Sequence, residues 1–183
     1  MRVLLTLGCT AALIAVAACN RDEPPAANDS AEAPSGNESA SANSVANVAA
    51  PADVAAFMHD RHERYEDLGD TMKALNRELK GSSPSIEAIR RHAAEIAQFA
   101  PQVPGLFPPG TGPETGRRTR AKAEIWSDGK TFRQRADAFA RESARFNQAA
   151  QSGDLAAVRA ALPGLADSCK NCHDRFRAPE SEH

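Results

Sequence analysis

The apolar positions of the chain fall into four stripes with helical spacing. After Pro51 and Asp53, a residue suited to cap a helix, Val54, Met58, Arg61, Tyr65, Leu68, Met72, Leu75 and Leu79 recur at alternating steps of four and three. That spacing is one face of a helix, and Gly81 ends it. A second stripe, Ile86, Ile89, Ala93, Ile96 and Ala97, follows Ser83-Pro84, read as a cap with Pro at the first helical position, and stops at Pro101. A third helix is predicted from about Thr119 to Gln151. In it Ile125, Phe132, Phe139 and Phe146 are spaced by seven, and Gly129, Ala136, Ser143 and Ala150 repeat at the same interval. A bulky seam thus runs beside a small one, which ordinary bundle packing accounts for and which also lets a neighbouring helix or a flat group come close. The fourth helix opens at Gly153-Asp154 and continues through Leu155, Val158, Leu162, Leu165, Cys169, Cys172 and Phe176, with Pro163-Gly164 predicted to kink or split it. Residues 101–116 hold five Pro and four Gly, which excludes a regular element and makes a connection long enough to cover something. With no strand pattern anywhere, the fold class is all-α, an antiparallel four-helix bundle.

The first 50 residues lie outside this pattern. Residues 1–19 read as an export signal: Arg2, an apolar run from Val3 to Ala18, then Cys19. The run is short for a membrane-spanning helix. Val16-Ala17-Ala18-Cys19 resembles the lipobox of bacterial lipoproteins, in which the Cys becomes the lipidated first residue of the mature chain; ordinary cleavage beside an incidental Cys is the alternative. Residues 20–50 contain no aromatic residue and are rich in Ala, Ser, Asn, Glu and Pro, a composition that cannot offset the entropy of ordering and suits a tether. The folded unit is then 51–183.

Composition changes this picture little. Aromatic residues are only 5% of the chain, and abundant Ala fits helix. Net charge is −2 overall, and residues 51–183 carry 20 Lys and Arg against 19 Asp and Glu. Phosphate recognition needs a clustered basic excess, so nucleic acid is excluded as the main partner.

The chemistry concentrates at Cys169-Lys170-Asn171-Cys172-His173, a C-x-x-C-H run of the kind that attaches haem c. On a helix, positions i and i+3 put both sulfurs on one face, each able to form a thioether with a haem vinyl group, and the adjacent imidazole can ligate the iron. A thioredoxin-like pair would need a strand before the first Cys. A zinc site would need four ligands, whereas Cys9 lies in the signal and Cys19 is remote. A plain disulfide leaves His173 without a role. No paired carboxylates, nucleophile–base set or phosphate loop suggests a substrate, so the chain does not read as an enzyme.

The position of this motif near the C-terminus, together with Arg61 in the first helix, Phe107-Pro108-Pro109-Gly110-Thr111 after the second and Glu124-Ile125-Trp126-Ser127-Asp128 in the third, resembles cytochrome c-prime, the class II bacterial cytochromes c. The resemblance covers the whole of 51–183. It implies one covalently attached haem c within the bundle, with Cys169 and Cys172 as attachment points and His173 as the only protein ligand to iron. It implies that the opposite side is walled by a first-helix residue, matched here by Tyr65, so that a five-coordinate iron binds NO and CO selectively. Arg61 matches a propionate contact; a surface-seeking or carboxylate-paired Arg is the alternative. His62 matches a second polar contact or is a surface residue. Thr111 and Glu114 match a loop packed near the haem, and Arg177 matches a proximal basic residue or is simply solvated.

Two functions follow from the resemblance: a gas-binding haemoprotein of the bacterial periplasm, held to a membrane by lipid at Cys19, or a low-spin electron-transfer cytochrome. The second needs a sixth ligand, for which Met58, Met72 or His62 are available, although both Met also suit core filling. A redox partner is implied but unnamed, and relatives pair through their first two helices.

Overall fold

A computed structural model describes residues 50–179. Five α-helices are present among them: α1 (Val54–Lys80), α2 (Ile86–Phe99), α3 (Glu124–Ser127), α4 (Gly129–Ser152) and α5 (Leu155–Phe176); two short 3-10 helices, Ala100–Leu106 and Pro113–Thr115, stand in the connection expected to hold no regular element. The long ones, α1, α2, α4 and α5, make the four-helix bundle. The export signal, Cys19 and the tether up to residue 49 lie outside the described residues. Among the described residues no helix is long and apolar enough to cross a membrane.

Helix α1 begins where its sequence predicts. The Asp53 side chain accepts a hydrogen bond from the Ala56 N–H at 2.9 Å, satisfying a donor that has no partner inside the helix. Its stripe is the inner face: Met58, Arg61, Leu75 and Leu79 are buried, with Tyr65, Leu68 and Met72 half-buried between them. Gly81 closes the helix, donating to the Arg77 and Glu78 carbonyls.

The start of α2 differs from expectation. Ser85, not Ser83, is the cap, its hydroxyl accepting from the Ala88 N–H at 3.2 Å. Pro84 therefore stands before the cap. The Glu78 carboxylate accepts the Ser85 N–H at 3.1 Å and ties the cap back to α1. Contacts between Thr71 and Glu95, and between Arg64 and Gln102, show α2 running antiparallel to α1.

The predicted third helix is shorter and broken. Residues 119–123 are not helical: Ala121 forms an antiparallel bridge with Arg177, the Lys122 N–H donates to Phe176 O and the Ala178 N–H to Arg120 O. One helical turn, α3, follows and stops at Asp128, whose backbone (φ −121°, ψ 49°) leaves the helical region. Asp128 then caps α4, its carboxylate accepting from the Thr131 N–H at 3.3 Å. Asp favours a cap over an interior position, and Gly129 weakens a continuous helix further. The predicted split of α5 does not occur, since one helix runs through Pro163. Pro163 is exposed, so the carbonyl it leaves without an N–H partner faces water.

Both seams of α4 are inside. Phe132, Phe139 and Phe146 are buried, and so are Ala136, Ser143 and Ala150. Full burial of each such Phe stabilises the fold by about 1.5–3 kcal/mol. Gly153, at φ 81°, makes the left-handed turn that folds α5 back along α4. The start of α4 and the end of α5 therefore share one end of the bundle, where the interior is aromatic.

Candidate haem site

The last two turns of α5 place the C-x-x-C-H residues. Cys169 and Cys172 are free thiols, half-buried, and pack against the edge of the core. Burial pushes both thiol pKa values up, so neither is an activated thiolate. His173, the next residue, is turned toward solvent. Partial desolvation, with Arg177 and Arg120 close by, pulls its imidazole pKa below the ordinary value, and Asp174 opposes them. The neutral imidazole, the form that ligates a metal, is therefore favoured. Arg175 pairs with Asp128 at the cap of α4, and Lys170 pairs with Asp174 one turn along. Among the described residues no cluster of three or more His, Cys, Asp or Glu could hold a metal ion, so the zinc reading finds no ligand set there.

Across the bundle stands an aromatic wall. The Tyr65 ring meets Phe99 edge-on at 5.2 Å and lies 6.0 Å from Phe107. Phe107 continues to Phe132 at 5.2 Å and to Trp126 at 6.0 Å, and Phe132 to Phe176 at 5.4 Å. Burial pushes the Tyr65 phenol pKa well above its usual value of 10.0, the Cys172 thiol adds to the push, and Arg61 and Arg64 oppose it.

Arg61 is buried, 5% exposed, and neither reaches the surface nor pairs with a carboxylate. Its guanidinium donates to Thr111 Oγ1 at 3.1 Å, to the Thr111 carbonyl at 2.9 Å and to the Leu106 carbonyl at 3.2 Å, and it lies 4.8 Å from the Phe107 ring centre. Burial lowers its pKa, with Tyr65 and Glu114 opposing. Thr111, fully buried, donates its hydroxyl to the Pro108 carbonyl at 2.8 Å. Glu114 is exposed and its carboxylate accepts the Gly112 N–H at 3.0 Å. Gly112 allows the loop to press on Trp126: a Cβ there would lie 2.8 Å from the indole. The indole N–H donates to Pro108 O at 2.9 Å.

The other residues singled out from sequence are less central. His62 is exposed, and so is Arg177, which closes α5 by donating its N–H to the His173 carbonyl. The Met58 sulfur is buried and takes a contact from the Thr115 hydroxyl at 3.6 Å. Met72 packs against the core.

The family model described as Cytochrome C' matches residues 56–177, from α1 to the end of α5. The chain belongs to the cytochrome c' family. It is 36% identical over 126 residues to cytochrome c' of Pararhodospirillum photometricum, covering 69% of this chain and 99% of that one. Two solved structures of variants of cytochrome c prime from Alcaligenes xylosoxidans, one a nitric oxide complex and one carrying bound carbon monoxide, each superpose with a TM-score of 0.62 at 27% identity. Each covers 70% of this chain and 98% of its own.

Cytochrome c' proteins carry one covalently bound haem c, and the residues present fit that group. Two thiols share one side of α5, a solvent-facing imidazole follows them, and rings from α1, α4 and the loop line the facing interior. Sequence reasoning missed Phe99 and Phe132 as wall residues and treated Phe107 only as a turn marker. Phe132 lies on the bulky stripe of the third predicted helix, Phe99 and Phe107 on none, and nothing in periodicity separates a core ring from one that faces a cofactor.

Proposed function

We propose that this protein holds one haem c through thioethers at Cys169 and Cys172, with His173 as the sole protein ligand to iron, and binds NO and CO on the side of Tyr65. The bound haem supplies an iron with one open coordination position. The chain's own residues set what reaches it. Tyr65, packed against Phe99 and Phe107, walls the ligand side, so a small ligand enters by displacing the ring and larger ligands are excluded. The Tyr65 phenol stays protonated and is placed to donate a hydrogen bond to a ligand that enters.

The observation that carries this reading is the Tyr65 ring on the inner side of α1, packed against Phe99 and Phe107 with neither Met nor His at that position. Met58 is engaged by Thr115 and His62 faces solvent, so neither supports a sixth ligand. Arg61, held by the 106–111 loop, retains its charge beside the aromatic wall and suits a propionate. Thr111 orients it, while His62, Glu114 and Arg177 border the site from the surface. The protein acts as a ligand-binding and electron-transfer haemoprotein and not as an enzyme. Its place is the periplasm, with lipid at Cys19 as the anchor and with α1 and α2 as the face for pairing with a second copy.

Resonance Raman spectra of the purified ferric holoprotein test the coordination. A five-coordinate high-spin iron is expected, with covalent haem lost from a denaturing gel when Cys169 and Cys172 are both changed to Ser. A six-coordinate low-spin iron would overturn the reading and put electron transfer first.

A further inference from the structure

The domain is almost neutral, yet its charge is unevenly placed. Residues 117–135 and 167–177 carry ten Lys and Arg against four Asp and Glu, while the rest of 51–183 carries ten against fifteen. The fold brings the two basic segments together. Ala121 bridges Arg177, Arg120 Nε donates to Ala178 O at 2.9 Å, and Arg175 pairs with Asp128. Arg135 and Arg175 line one open cleft of about 580 Å³ together with Glu124, Asn171 and Asp174. Arg117, Arg135, Arg175 and Arg177 are exposed. This surface surrounds Asn171 to His173, the outer side of the attachment segment.

We infer that the basic face formed by residues 117–135 and 170–177 is the docking surface for an acidic protein partner. Seven of its ten cations are Arg, whose planar fork binds carboxylates in two-point fashion. Three carboxylates, Glu124, Asp128 and Asp174, are interleaved with them, a mixed pattern that a protein surface can complement group by group and a uniformly anionic bilayer cannot. The patch is built on helix ends and a backbone bridge, which fix where its cations leave the backbone. An oppositely charged partner is steered to it even though the chain as a whole is negative. The purpose of docking there, electron exchange at the cofactor edge, rests on the proposed attachment at Cys169 and Cys172; the binding itself does not.

The test uses the ¹⁵N-labelled holoprotein, titrated at low salt with poly-L-glutamate and separately with vesicles of equal parts phosphatidylglycerol and phosphatidylcholine. Saturable amide shifts confined to 117–135 and 170–178 are expected with poly-L-glutamate, vanishing as salt rises. The double variant Arg117→Gln/Arg135→Gln should weaken this binding roughly fivefold, and Arg145→Gln/Arg159→Gln, at the other end of α4 and α5, should leave it unchanged. Shifts spread over the whole surface, equal losses in both variants, or tighter binding to vesicles than to poly-L-glutamate would overturn the inference, the last in favour of a membrane surface. These results are independent of spin state, so failure here is distinct from failure of the gas-binding reading.

Discussion

Tyr65 is the residue on which the proposed ligand face turns. It is the one Tyr of the chain, so its behaviour can be read directly. Displacing a packed ring costs on the order of 1–3 kcal/mol, so Tyr65→Ala should raise CO affinity by about tenfold or more. Unchanged CO affinity and binding rate in that variant would remove Tyr65 from the ligand path. Its phenol gives a second prediction. The folded pKa lies above the unfolded value of 10.0, so the stability it contributes is complete below pH 10 and is lost as pH rises through the folded value. In an alkaline titration, tyrosinate absorbance should therefore appear later in the native holoprotein than in urea. Arg61 makes a different point. Its sequence neighbours mark it as a cation on an apolar face, and burial of the guanidinium follows from that alone. Its partners, Thr111 and the Leu106 carbonyl, are 50 and 45 residues away, and no local pattern announces them. Thr111→Val should cost about 1–2 kcal/mol in urea denaturation of the holoprotein, because it removes an acceptor from Arg61 and a donor from Pro108 O. No change in stability would show that this clamp contributes nothing.

At the scale of elements, periodicity located every long helix, since each buries one stripe and the stripes are long. It failed at the boundaries where a single polar contact decides. Ser85 displaces Ser83 as the cap of α2 because Glu78 of α1 takes its N–H, a tertiary contact. Residues 119–123 have a composition that tolerates helix, yet their backbone is taken by Phe176 and Ala178 at the end of α5. The break at Asp128 separates the turn carrying Trp126 from α4 and lets the indole lie over the 108–112 loop. That loop approach requires Gly112. Gly112→Ala, with its methyl driven into the indole, should destabilise the holoprotein by about 1–3 kcal/mol and shift Trp126 fluorescence. Thermal unfolding indistinguishable from the parent would show that Trp126 moves aside freely.

For the molecule as a whole, the proposed attachment residues were legible because thioether chemistry demands a fixed spacing: Cys169, Cys172 and His173 can be found without knowing the fold. The wall opposite them was only half legible. Tyr65 stood out through resemblance, whereas Phe99, Phe107 and Phe132 become a surface only when the 100–116 connection folds over α4. The basic face was hidden for a related reason. Its two halves are separated by most of α4 and α5 and cancel against acidic residues elsewhere when the chain is counted as a sum. The central claim is an open iron position guarded by Tyr65. It is tested most directly by absorption spectra of the ferrous holoprotein before and after addition of CO and then NO. Saturable spectral change with both gases, starting from a high-spin spectrum, is the predicted result. A low-spin spectrum that CO leaves unmoved would contradict the claim and show a protein side chain at the sixth position.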